Sequence, residues 1–175
     1  MDRSSLTTIT FLALRCVQLE DELLRLRNLA TVDPLTGLYN RRKLEDYLPR
    51  VLSSASRRGS PVSFLMLDLD NFKNTNDDLG HKKGDEILFK LAQYLKKVLR
   101  ASDMSFRYGG DEFVVILPDT DLKWAGIAAV RIAKKVRRAH IKLSIGIGTT
   151  LDRADKALYQ AKEAGRNCIR VYEEK

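Results

Sequence analysis

The apolar positions follow two different rhythms. Residues 5–31 contain neither Gly nor Pro, and Ile9, Leu12, Cys16, Leu19, Leu23, Leu26 and Ala30 recur at alternating steps of three and four. This is a heptad seam, with Ile9, Cys16, Leu23 and Ala30 at a and Leu12, Leu19 and Leu26 at d. Arg15 at g faces Glu20 at the next e, and Glu22 faces Arg27, so a parallel in-register pair matches opposite charges twice. Seam and flanks together favour a dimeric coiled coil over a helix folded back on its own domain. With only about three heptads, the seam alone is marginal.

Asp33-Pro34 ends that helix, because a residue before proline is pushed out of the α region. Asn40 then caps a helix carrying Leu44, Tyr47, Leu48, Val51 and Leu52, in which Pro49 predicts a kink; Arg57-Arg58-Gly59 closes it. Residues 62–69 (VSFLMLDL) read as a buried strand and 84–100 as a helix with Ile87, Leu88, Leu91, Leu95, Val98 and Leu99 on one stripe. Residues 105–108 and 113–117 predict two short strands around Gly109-Gly110. Asp119–Asp121 offers caps for a helix to about Arg138, followed by a strand at 141–147, a helix at 152–164 ended by Gly165 and a last strand at 168–172. Strands alternating with helices, plus one tight hairpin, predict an α/β (α+β) domain with a mixed sheet. Residues 1–31 form its helical lead and 32–175 the domain itself.

Composition narrows the function. Hydrophobic residues make up 44% of the 175, a globular share that argues against disorder, and the net charge of +8 suggests an anionic partner. The apolar runs fall far short of the roughly 20 residues of a spanning helix, and no secretory signal stands at the N-terminus. Cys16 and Cys168 match no metal spacing, which points to a reducing, cytoplasmic location. The paired basic residues are not interleaved with aromatics, so no nucleic-acid partner is expected.

The chemistry concentrates in two acidic pairs. Asp68 and Asp70 end the first long strand two residues apart, so both leave the same face. Such close carboxylates repel unless a cation or a donor lies between them. The run Arg107-Tyr108-Gly109-Gly110-Asp111-Glu112-Phe113 puts a second pair at a turn. If its strand pairs beside the first, three or four carboxylates gather at one end of the sheet, an oxygen set suited to Mg²⁺. Taken singly, either pair reads more readily as solvated acids at a strand end or turn. Lys73, Asn76, Gly80, His81, Gly84 and Asp85 follow the first pair, while Lys162 and Arg166 leave the last helix and its end. Acids for a metal, basic residues for phosphates and an Asn/Asp pair for a base edge together suggest a nucleoside triphosphate site, with neither a Walker A run nor GxGxxG present.

RYGGDEF at 107–113 resembles the signature of the GGDEF family of diguanylate cyclases. DPLTGLYNRR at 33–42, DLDNFKNTNDDLGHKKGD at 68–85, SIGIG at 144–148 and ADKALYQAKEAGRN at 154–167 are similar to the family's other motifs, in order. The resemblance covers roughly residues 32–173, and the lead resembles the signalling helix that joins such domains to a sensor. It implies a nucleotidyl-cyclase-like fold, with a mixed five-stranded sheet wrapped by helices. The implied reaction condenses two GTP molecules to cyclic di-GMP and two pyrophosphates, in a homodimer whose facing half-sites each hold one GTP. By that resemblance Asp68, the carbonyl of Leu69 and Asp111 bind Mg²⁺, for which Mn²⁺ can substitute. Asn76 and Asp85 read guanine. Lys73, Lys162 and Arg166, with backbone N–H groups near Asn71 and Phe72, hold phosphates. Asp111, or else Glu112, assists deprotonation of the attacking hydroxyl.

Arg100-Ala101-Ser102-Asp103 reads RxxD, nine residues before Gly109, which is the family's spacing for an inhibitory cyclic di-GMP site with Arg131 as a further contact. Thr75 replaces a usually apolar residue, and the stretches 149–153 and 138–141 are shorter than usual. The alternative reading is a catalytically inactive receptor for GTP or cyclic di-GMP; the unbroken 109–113 turn favours the enzyme.

Overall fold

The computed structural model describes residues 12–20, 22, 23, 26 and 30–173. Six strands and five helices follow residue 38 in the order β1 (Tyr39–Asn40), α1 (Arg41–Arg58), β2 (Val62–Leu69), α2 (Phe72–Leu79), α3 (His81–Val98), β3 (Met104–Arg107), β4 (Glu112–Pro118), α4 (Leu122–Arg137), β5 (Leu143–Gly148), α5 (Leu151–Glu163) and β6 (Ile169–Val171). The sheet runs β1-β3-β4-β2-β5-β6, with β2 antiparallel to both neighbours and the two edge pairings parallel.

Every residue of β2 is buried, which is why its sequence is apolar almost throughout. Alternation splits it between two cores. Leu65, Leu67 and Leu69 meet Leu88, Leu91 and Leu95 of α3 and Ala125, Ala129 and Ile132 of α4. Phe64 and Met66 meet Leu44 and Val51 of α1 and Ala154 and Leu158 of α5. Asp68 continues the second series, so it emerges on the α5 side. There α5 lies directly on β5: a Cβ on Gly146 would stand 2.1 Å from both Ala154 O and Leu158 N. Only glycine permits that approach, and the approach brings Lys162 within reach of β2.

Asn40 caps α1 by accepting from Lys43 N–H, and Gly59 closes it at φ 62°, as the sequence predicts. The helix nevertheless runs unbroken through Pro49, which is exposed, leaving the orphaned carbonyl on a watered face. Two elements lie outside the predicted set. β1 is a sixth strand of two residues, too short for any periodicity. α2 is rich in Asn and Asp, poor formers in a helix interior, and has no buried residue. It extends the helical region, and α3 starts at His81 rather than 84, with Gly84 inside it.

The lead is helical at residues 12–20, 22, 23, 26, 30 and 31. Of the heptad seam, Leu12, Leu19, Leu23 and Leu26 are 49–57% exposed in the single chain; Ile9 and Arg27 lie outside the described residues. No helix among the described residues is long and apolar enough to cross a membrane.

Candidate functional site

Antiparallel pairing of β2 with β4 sets Asp68 opposite Glu112, and Leu69 N–H donates to Asp111 O at 3.3 Å. The acids that close β2 and those of the glycine turn thus meet at one end of the sheet. Asp68 is almost buried, and Lys162 Nζ from α5 donates to its Oδ2 at 2.7 Å. Burial pushes the Asp68 carboxyl above its ordinary range; the Lys162 ammonium opposes this, and the charges of Asp111 and Glu112 add to it. The net result is an acid that is crowded by other acids and only partly neutralised. Hard oxygen donors in this state suit a divalent cation. Among the described residues no three acidic, His or Cys side chains form a closed cage, so such an ion would be completed by ligands from outside.

Asp70 is also nearly buried, but its carboxylate takes donors from Ser144 and Asn167 rather than facing Asp68. Sequence reading anticipated a donor or cation between the two acids; the structure supplies a separate set of donors to each.

Asn76 of α2 reaches the first turn of α3. A Cβ on Gly84 would stand 1.9 Å from Asn76 Oδ1, so glycine is what admits this side chain beside Asp85. Asn76 Oδ1 is buried and has no hydrogen-bond partner among the described residues, an orphan acceptor against Gly84, whose neighbour Asp85 is exposed. Lys73 and Arg166 are exposed, and their side chains bond to no described residue. Asn71, in the left-handed region at φ 56°, turns the chain from β2 into α2. A cleft of about 580 Å³ opens there against residues 139–142; of the predicted site residues, Leu69, Asn71 and Phe72 line it.

The glycine turn is braced from outside. Arg107 donates through Nε and Nη2 to Gly110 O at 3.2 and 2.9 Å, and through Nη1 to Asp33 at 3.1 Å. Asp33 also accepts from Thr36 N–H and Oγ1–H. It lies just past the lead helix, whose Ala30 O accepts from Asn40 Nδ2. Burial alone pushes the Asp33 carboxyl up, but the Thr36 and Arg107 donors outweigh it and hold the group below its ordinary 3.8. A depressed carboxyl stabilises the fold above its unfolded pKa, and that contribution is lost as pH falls through the folded value. Asp33→Asn is therefore expected to lower the urea midpoint at pH 6, with the gap to wild type closing as pH drops below about 4. A gap that stays constant with pH would remove the ion pair from the account.

Arg100, Asp103 and Arg131 line a separate cleft of about 120 Å³ with Trp124 and Ile127. Arg100 N–H donates to Asp103 Oδ2 at 2.8 Å, and Arg131 Nη2–H donates to Val98 O at 3.1 Å. The Arg100 side chain bonds to no described residue. Sequence reading missed Trp124, which is 54% exposed; a lone tryptophan three residues after a capping Asp gives no signal until the fold sets it beside RxxD.

A family model described as "Diguanylate cyclase, GGDEF domain" matches residues 30–168. Response regulator PleD of Caulobacter vibrioides is 42% identical over 166 residues, covering 81% of this chain and 36% of that protein. Diguanylate cyclase DosC of Escherichia coli is 38% identical over 160 residues, covering 81% of this chain and 35% of its own length. The chain thus spans about a third of these relatives. The crystal structure of the coiled coil and GGDEF domain of DgcB from Caulobacter crescentus, in complex with c-di-GMP, superposes with a TM-score of 0.89 at 28% identity, covering 97% of this chain and all of that one.

Proposed function

The chain belongs to the GGDEF family of diguanylate cyclases, and we propose that it condenses two GTP molecules into cyclic di-GMP with release of two pyrophosphates. The observation that carries the proposal is the junction of Asp68, Asp111 and Glu112 at the end of β2 and β4, with Lys162 against Asp68. In this reading Asp68, the Leu69 carbonyl and Asp111 would hold Mg²⁺, which would supply charge neutralisation at the triphosphate. Lys162, which donates to Asp68, would be the ammonium placed to meet a phosphate oxygen. Lys73 and Arg166, free of other partners among the described residues, grip the remaining phosphates together with the N–H groups at Asn71 and Phe72.

The orphan Asn76 Oδ1 and the exposed Asp85 carboxylate are acceptors, matching the N1–H and N2–H donors of guanine and not the adenine edge. Asp111 takes the proton from the 3′-hydroxyl, with Glu112 as the alternative base. Each hydroxyl attacks the α-phosphate held by the facing subunit, so two copies are required, and the lead helix joins them as a parallel coiled coil. The likeness to DgcB, with its coiled coil and GGDEF domain, supports that assembly.

Incubation with GTP and Mg²⁺, followed by chromatography, tests the reading: cyclic di-GMP is expected from GTP and no cyclic dinucleotide from ATP. GTP bound but left unconverted would make this a receptor.

The cleft at Arg100 is proposed as the product's inhibitory site. Its guanidinium can grip phosphate or a guanine edge, and Asp103 can accept guanine N–H groups. Cyclic di-GMP bound there holds the half-sites apart, so inhibition is non-competitive with GTP. Arg100→Ala is expected to abolish inhibition while leaving initial turnover nearly unchanged. Trp124 is the only tryptophan in the chain, so its emission reports occupancy directly. Equal inhibition of the variant, or emission indifferent to added product, would leave RxxD as a surface turn.

A further inference from the structure

Asp70 is 9% exposed, and both of its carboxylate oxygens are committed. Oδ1 accepts from Ser144 Oγ–H at 2.6 Å, and Oδ2 accepts from Asn167 N–H at 2.8 Å. Ser144, fully buried, closes the triangle by accepting from the same Asn167 N–H at 3.1 Å. This spends the acid on donors and withdraws it from metal binding. What it holds is unusual. Gly165, Arg166 and Asn167 have φ of 101°, 65° and 48°, three consecutive residues in the left-handed region. Glycine enters that region freely and asparagine tolerates it, but arginine is disfavoured there. A run of this kind persists only where its surroundings over-determine it. Here the determinants are Arg166 N–H on Ala161 O at 3.0 Å and the Asp70–Ser144 pair on Asn167 N–H. The middle residue of the run is Arg166, whose side chain is exposed and bonds to no described residue.

We propose that Asp70 is a positioning residue: with Ser144 it clamps the 165–167 turn in its left-handed conformation and so fixes the direction in which Arg166 presents its guanidinium to the GTP phosphates. This rests on the phosphate role of Arg166 given above. Asp70 touches neither nucleotide nor metal in this arrangement and acts only through the turn.

A double-mutant cycle on the full chain tests it. Asp70→Asn keeps the volume but removes the charge and exchanges one of two acceptors for a donor, so that it can no longer accept from both Ser144 Oγ–H and Asn167 N–H. It is expected to raise KM for GTP and lower kcat/KM by about 10- to 100-fold, the scale of a small misplacement of a binding group. Arg166→Ala should lose a similar amount, and the double variant should be no worse than Arg166→Ala alone. In the Asp70→Asn background, Asn167→Gly keeps the N–H and removes the cost of a left-handed asparagine, and should recover part of the KM loss. Should Asp70→Asn fail to fold, Ser144→Ala removes one arm of the clamp and enters the same cycle. Losses that multiply in the double variant, with no rescue by glycine, would overturn the clamp while leaving the enzyme reading intact. A wild-type chain that makes no cyclic di-GMP would overturn that reading instead. The cycle is then run on equilibrium binding of GTP, where additive losses again refute the clamp.

Discussion

Asp111→Asn is expected to reduce cyclic di-GMP formation by at least about 10³-fold while leaving the thermal midpoint near that of wild type. The substitution preserves size and keeps the backbone carbonyl that accepts from Leu69 N–H, so the β2–β4 junction survives. What it removes is the charge of the oxygen proposed above as a ligand, beside Asp68 and Glu112, and with it the leading candidate for taking the hydroxyl proton. Both losses fall on the transition state, in which charge builds on the transferring phosphoryl group. The fold has little to lose. Burial does most to raise the Asp68 carboxyl, and Asp111 adds like-charge repulsion to it, so neutralising Asp111 removes an unfavourable interaction. A variant that turns over GTP at a near-normal rate would remove Asp111 from both roles, and Glu112→Gln would then be the variant to make.

The second large effect concerns assembly. Leu19→Asp together with Leu23→Asp places carboxylates at adjacent d and a positions of the lead helix, four in each pair of chains. Both leucines are about half exposed in the single chain, so the monomer tolerates the change. A paired seam does not, because unpartnered charge buried between helices costs about 3–5 kcal/mol. The dissociation constant should rise on the order of 10²-fold or more, read by analytical ultracentrifugation. Specific activity should then fall steeply on dilution, since half-sites on separate chains no longer meet. Activity and sedimentation that match wild type would show that the lead helix does not form the dimer.

Much of the architecture was legible where one physical signal dominated. β2 announced itself because a strand covered on both faces must be apolar throughout, and the Asn40 and Gly59 caps of α1 because few residues can do their work. The hairpin around Gly109-Gly110 joins β3 to β4 but leaves open whether β4 lies beside β2, so the pairing of Asp68 with Glu112 comes from the fold. What escaped depends on tertiary context. The Asn/Asp-rich α2 forms against propensity, and two residues of β1 carry no period. Pro49, exposed, lies within α1 without ending it. The candidate site residues can be named from the sequence by type and position, but not the partners the structure gives them. Lys162, expected on phosphate, rests on Asp68, and Asp70, expected to share a cation or donor with Asp68, is held by Ser144 and Asn167. Those are contacts between residues more than seventy positions apart, which no local pattern encodes.

The central claim is that two copies of this chain, each holding one GTP at the Asp68–Asp111 junction, make one product between them. Quantifying pyrophosphate and cyclic di-GMP in the same Mg²⁺-containing reaction, over a protein dilution series, tests it most directly. The account predicts two pyrophosphates per cyclic di-GMP and a rate that rises with the square of protein concentration below the dimer dissociation constant. Pyrophosphate release without the cyclic dinucleotide, or a rate strictly proportional to protein at every dilution, including those at which sedimentation shows monomer, would contradict it.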